Sequence, residues 1–211
     1  MIEDEPILAD VARYYGGKLE AHGAQPRGVD WNSFESQQLR FRQLTRVIDA
    51  ERRFSLNDFG CGYAALVDYL VAAGAAFGYV GYDIAPGMIE TARQRHAGRP
   101  DCLFTSKLED VPVADYTIAG GVFNVKLTAP EEQWNAYVLR TLDCIDRVSS
   151  LGFAVNLLTS YCDPERMRPD LFYADPCVLF DHCKRRYSRN VALLHDYGLY
   201  EFTVLVRKVA S

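Results

Sequence analysis

The chain has 211 residues, 49% of them hydrophobic, and a formal net charge of −5. That length can bury one full core, and no Pro/Gly/Ser linker, low-complexity tract or internal repeat divides it. An acidic balance with scattered basic residues argues against a nucleic-acid backbone as the main partner, and no apolar run approaches the length that spans a membrane.

Two helices are predicted before Phe54. The first carries Ile7, Leu8, Val11, Tyr14, Tyr15 and Leu19; the second starts near Asn32 or Ser33 and turns Phe34, Phe41, Leu44 and Ile48 inward. Between them, 22–31 reads as a loop able to close over a ligand. Phe54, Leu56 and Phe59 make a first strand, and Ala65, Leu66, Tyr69, Leu70 and Ala73 then recur at helical spacing. A second strand takes in 79–82, and Pro86 opens a helix with Ile89, Ala92 and His96 on one face, stopping at Gly98. The third and fourth strands fall at 102–105 and 115–120. Thr128-Ala129-Pro130-Glu131 reads as a capping box before a long helix with Trp134, Tyr137, Val138, Leu142 and Ile145. A fifth strand spans 152–158, and the long link 160–174 suggests a lid or substrate pocket. Asp175-Pro176 caps another helix to about Tyr187, and 191–197 with 200–208 reads as a hairpin turned at Gly198. This alternation of strand and helix predicts an α/β fold with a parallel sheet.

The run Asn57-Asp58-Phe59-Gly60-Cys61-Gly62-Tyr63 sits where the first strand hands over to a helix, and its glycines let the backbone approach a ligand with no Cβ in the way. Gly60 to Ala65 satisfies the loose dinucleotide pattern G-x-G-x-x-A, so spacing alone leaves an NAD(P)-dependent oxidoreductase open. Asp58 discriminates. A carboxylate facing a pyrophosphate is costly, whereas it complements S-adenosylmethionine, which carries an ammonium and a sulfonium and no phosphate. Asp83 lies 21 positions after Gly62, one strand-helix-strand step, and is placed to accept hydrogen bonds from a ribose.

At these residues the chain resembles the class I, Rossmann-like S-adenosylmethionine-dependent methyltransferases. Asp58-Phe59-Gly60-Cys61-Gly62 matches the family's first motif, Tyr82-Asp83-Ile84-Ala85-Pro86-Gly87-Met88 its second, and 115–123 its fourth strand. The resemblance implies a doubly wound, mostly parallel seven-stranded sheet with an antiparallel C-terminal strand. It implies one methyltransferase domain, in which 1–53 form an N-terminal helical lid on a core of 54–211. It places Asp58, Gly60, Cys61, Gly62, Asp83, Ile84, Met88, Gly120 and Gly121 at the cofactor. Departures also exist: Ala64 replaces a third glycine, Ala85 replaces a capping Ser, and 105–110 lack the Gly-Asp pair that often meets the adenine amine. Leu108 is then the expected neighbour of the adenine ring, with Ser106 or Glu109 polar to it. Tyr14-Tyr15, Gly28-Val29-Asp30-Trp31 and 37–41 resemble a bacterial branch of the family. There Arg40 is expected to pair with the methionine carboxylate under Trp31, the plainer reading being one surface Arg among Arg40, Arg42 and Arg46.

Methyl transfer is an in-line displacement that asks the protein for alignment and, with a neutral oxygen nucleophile, a base. His22, His96, His182 and His195 each read more readily as structural than catalytic, so no catalytic residue is assigned. Gly121-Val122-Phe123-Asn124 replaces the Asn/Asp-Pro-Pro-aromatic motif of enzymes acting on planar amino groups, which favours a small-molecule acceptor with an oxygen or nitrogen nucleophile. Its contacts are expected at 123–126, 159–163 and 171–173. No metal site is expected. Cys61, Cys102, Cys144, Cys162, Cys177 and Cys183 lack C-x-x-C pairs, and Met1 to Glu5 is acidic where a signal peptide is basic, so a cytoplasmic protein is expected. Two alternatives stand beside the methyltransferase: the oxidoreductase, and an S-adenosylmethionine-binding protein without turnover.

Overall fold

The computed structural model describes residues 5–208, so Met1 to Asp4 lie outside it. Five strands run parallel: β1 (Phe54–Phe59), β2 (Phe77–Tyr82), β3 (Cys102–Thr105), β4 (Ala114–Gly120) and β5 (Ser149–Thr159). A two-residue strand, β6 (Tyr173–Ala174), lies parallel to the end of β5. The hairpin of β7 (Asn190–Leu194) and β8 (Glu201–Arg207) completes the sheet, with β8 antiparallel to both β5 and β7. The order is β3-β2-β1-β4-β5-β8-β7, eight strands counting β6 where seven are expected. β6 is too short to leave a periodic trace in the sequence.

Helices cover both faces, which is why β1, β4 and β5 are buried almost throughout instead of alternating. One face packs α1 (Glu5–His22), α5 (Glu131–Arg147) and α6 (Pro176–Arg186), burying Val11, Trp134, Leu142, Phe153 and Phe202. The other packs α2 (Phe34–Leu44), α3 (Ala65–Ala72) and α4 (Pro86–Arg95), burying Phe41, Leu44, Leu66, Tyr79 and Ala92.

Local chemistry explains most of the boundaries. Ser33 caps α2, its hydroxyl accepting from the Ser36 backbone N–H while the Ser36 hydroxyl accepts from Ser33 N–H. Asp175 caps α6 by accepting from Cys177 and Val178 N–H. The expected box at Thr128 does not form: Leu127 turns at φ 52°, Thr128 is exposed, and α5 starts behind Pro130 with no side-chain cap. Pro130 presets the entry, and Glu131 and Glu132 complement the helix N-terminus instead. β7 ends at Leu194, so His195 sits beyond the strand.

The links after β4 and β5 are stitched together backbone to backbone. Phe172 N–H donates to Asn124 O at 2.9 Å, Lys126 and Leu127 N–H both donate to Asp170 O, and Val125 pairs with Leu171.

Candidate functional site

At the carboxyl end of β1 the chain turns through Gly60 at φ 80° and Gly62 at φ 55°, conformations that favour glycine. A Cβ on Gly60 would lie 2.1 Å from Val122 Cγ1, and one on Gly62 would lie 2.8 Å from Val29 Cγ1. Ala64 adopts the same left-handed region, φ 61°, where a glycine would be unstrained. His96 supports this bend: it is buried, its Nε2 lies 3.1 Å from Ala64 O, and burial holds its pKa below the ordinary value. That is a structural role, in line with the bland expectation for this histidine.

Two buried carboxylates flank the turn. Asp58 accepts from the Tyr79 hydroxyl at 2.6 Å, and burial pushes its pKa up to about 7, with the Asp83 charge adding to the rise. Asp83 accepts from Gly62 N–H at 2.8 Å and Ala85 N–H at 2.9 Å; burial outweighs these bonds and raises it to about 6. The side chain of Asp83 therefore ties the second motif to the first.

A cleft open to solvent at its mouth runs over this floor. It brings together Trp31, Asp58, Gly60, Cys61, Gly62, Asp83, Ile84, Met88, Gly120 and Gly121 from the expected set. Trp31 Nε1 would be 3.2 Å from a Cβ on Gly121, so the indole lies close against a wall that has none. Leu108 lines a neighbouring cavity that shares Phe59, Tyr82, Ile84 and Tyr137 with the cleft. Arg40 does not reach the cleft wall. It is buried and bonded through Nε to both carboxylate oxygens of Glu201, at 3.0 and 2.9 Å.

The loops expected at the acceptor are also absent from both cavity walls: 123–126, 159–163 and 171–173 pack on one another and on the sheet edge. None of the four histidines lines either cavity. His195 lies beside Tyr161 and Phe202, and His182 beside Tyr187. Sequence reasoning missed Gln37 and Tyr63, whose side chains bond at 2.9 Å on the cleft wall, and the wall residues Tyr15, Val122 and Tyr137. Gln37 and Tyr15 do fall in the segments singled out for their branch resemblance, which is the one signal that pointed to them.

Among the described residues, the lining of the cleft holds no Lys, Arg or His against its two carboxylates. Such a cleft selects a cationic ligand and repels a pyrophosphate. The Cβ-free turn and the acidic floor fit S-adenosylmethionine, whose ammonium and ribose hydroxyls need acceptors.

Comparison with known proteins gives a consistent picture. The family profile described as a methyltransferase domain matches residues 57–128. A Mycobacterium tuberculosis (strain ATCC 25618 / H37Rv) protein named "Putative methyltransferase Rv1506c" is 52% identical over 165 residues, 78% of this chain and 99% of that protein. Human N-acetylserotonin methyltransferase, solved in complex with SAM, shares the fold at a TM-score of 0.58 and 18% identity, over 95% of this chain and 65% of the human one. The S-adenosylmethionine-dependent methyltransferase SibL gives a TM-score of 0.60 at 15% identity, over 86% of this chain and 57% of its own.

Proposed function

Because this chain belongs to the methyltransferase family, we propose that it uses S-adenosylmethionine to methylate an oxygen or nitrogen of a small-molecule acceptor. The observation that carries the reading is the pair of buried carboxylates with raised pKa values in a cleft with no lining cation. Asp58, oriented by the Tyr79 hydroxyl, would hold the ammonium, and Asp83 the ribose hydroxyls. Gly60, Cys61 and Gly62 would admit the methionine part beside Gln37 and Tyr63. Ile84, Met88 and Leu108 would flank the adenine, and Gly120, Gly121 and Trp31 would close the side toward the acceptor. When bound, the cofactor supplies an activated methyl group and its own leaving group.

The protein's part is alignment and exclusion of water, and the cleft offers little general-base chemistry. Burial holds the phenols of Tyr15, Tyr63 and Tyr82 and the thiol of Cys61 above their ordinary pKa values, so these groups stay protonated near neutrality. With both carboxylates engaged by the cofactor, the acceptor would be a neutral amine or a hydroxyl acidic enough to ionise unaided, such as a phenol. Methylation of a graded panel of phenols, amines and aliphatic alcohols tests this: the pH profile should follow each acceptor's own pKa, and turnover of an unactivated alcohol would refute it.

We take 1–211 as one methyltransferase domain, with the N-terminal helical part, 1–53, as the lid on a core of 54–211. Among the described residues no helix is long and apolar enough to cross a membrane. We place the protein in the cytoplasm, with no nucleic acid as partner. Calorimetric titration with S-adenosylmethionine, its demethylated product and NADH tests the cofactor. Micromolar-scale binding of the first two, lost in Asp58→Ala, is the expected result; binding of NADH alone would restore the oxidoreductase reading. Tight cofactor binding with no turnover on any acceptor would favour a binding protein.

A further inference from the structure

We infer that the ion pair of Arg40 and Glu201 is a positioning device for the reaction: it registers the N-terminal helices, and Trp31 with them, against the Gly120–Gly121 wall of the cleft. The inference rests on the cofactor site proposed above. Arg40 lies on α2, outside the sheet, and Glu201 is the first residue of β8, paired with Leu158 on β5. Their side chains are 8% and 3% exposed, and besides the two Nε bonds Arg40 Nη2 donates to Glu201 Oε1.

The connection does not stop at Glu201. Asn156 Nδ2 donates to Glu201 Oε2 at 2.6 Å, and Asn156 Oδ1 accepts from Gly121 N–H at 2.8 Å. A continuous polar chain therefore runs from α2 through β8 and β5 to the backbone at the end of β4. Trp31 is held inside this arc. The guanidinium carbon of Arg40 lies 5.1 Å from the indole centroid, and the same indole lies against Gly120 and Gly121.

A pair selected only for stability would not be built this way. Withdrawing two charges from water costs much of what their attraction returns, and apolar side chains of similar volume often serve stability as well. Arg40 Nη1 is moreover buried without a hydrogen-bond partner, a penalty an apolar pair would not carry. What the ionic pair adds is direction. Three donor–acceptor bonds and an indole face fix the rotation and height of α2 where packing alone would tolerate slippage.

The test compares wild type with Glu201→Gln and with the double change Arg40→Met plus Glu201→Leu, which removes both charges and so avoids stranding one. Melting temperature, acrylamide quenching of tryptophan fluorescence and calorimetric affinity for S-adenosylhomocysteine are measured on each. Trp134 is fully buried, so a change in quenching reports Trp31. The inference expects the double variant to melt near wild type yet show greater quenching and at least a tenfold weaker dissociation constant; Glu201→Gln should show both losses together with a lower melting temperature. Unchanged quenching and affinity in a stable double variant would make the pair merely structural and overturn the inference. A double variant that fails to fold overturns it as well, because the pair would then serve folding as such. If wild type itself binds no S-adenosylhomocysteine, the cofactor reading fails, while the quenching comparison, which needs no ligand, still decides the pair.

Discussion

Asp58 and Asp83 carry opposite consequences for the free and the loaded protein. In the fold the pKa of Asp58 rises from an ordinary 3.8 to about 7, so the native state holds this proton more tightly than the unfolded chain does. The sign follows: the contribution of Asp58 to ligand-free stability is full below pH 4 and is lost as pH rises toward 7, where a bare charge must be buried. Asp83 acts in the same direction over a window ending near pH 6. Cofactor affinity should move the other way, because the ammonium is attracted to the ionised form. Melting curves and calorimetric titrations from pH 5.5 to 8, roughly spanning both pKa values, should therefore show affinity increasing as ligand-free stability declines. Asp58→Asn should flatten most of both trends, and an affinity independent of pH would remove Asp58 from the ammonium site.

Elements differ in how plainly the sequence announces them. The capping box at Ser33 is local, and removing it in Ser33→Ala should cost about 1 kcal/mol, read as a lower denaturation midpoint with the same slope. The start of α2 near Ser33, though not its box, the glycine turn, the two acids and the succession of parallel strands and helices along the chain were legible, because each depends on residues adjacent in the chain or on one repeated strand-helix step. The remainder is long-range. Arg40 is separated from Glu201 by 161 positions and Gln37 from Tyr63 by 26, and no periodicity marks such partners. The expectation for Arg40 erred in the same way: a buried arginine needs an anion, and the sequence offered a ligand carboxylate while the fold supplies Glu201. Thr128 shows the reverse failure, a correct local pattern displaced because Leu127 and Pro130 set the path of the chain first.

For the whole molecule, two apolar clusters on opposite faces of one sheet couple the cleft to global stability, since the turn and both acids lie on the central strands or at their ends. A ligand at 100 times its dissociation constant should stabilise the fold by about 2.7 kcal/mol, roughly 5–10 °C for a domain of this size. A thermal shift of that order with S-adenosylhomocysteine, absent in Asp58→Ala, is the expected result. The stitched links after β4 and β5 bear on traffic through the molecule. Their amides at Lys126, Leu127 and Phe172 are engaged with each other's carbonyls, so parting them breaks a row of hydrogen bonds together. These links lie outside the cleft wall and form a frame beside it. The segment between α1 and α2, by contrast, meets the glycine turn through a methyl of Val29 and the Gly120–Gly121 wall through one indole, contacts that can part singly. We therefore expect it to open first: Val29→Ala should speed release of S-adenosylhomocysteine in stopped-flow measurements, and an unchanged rate would exclude this segment as the gate.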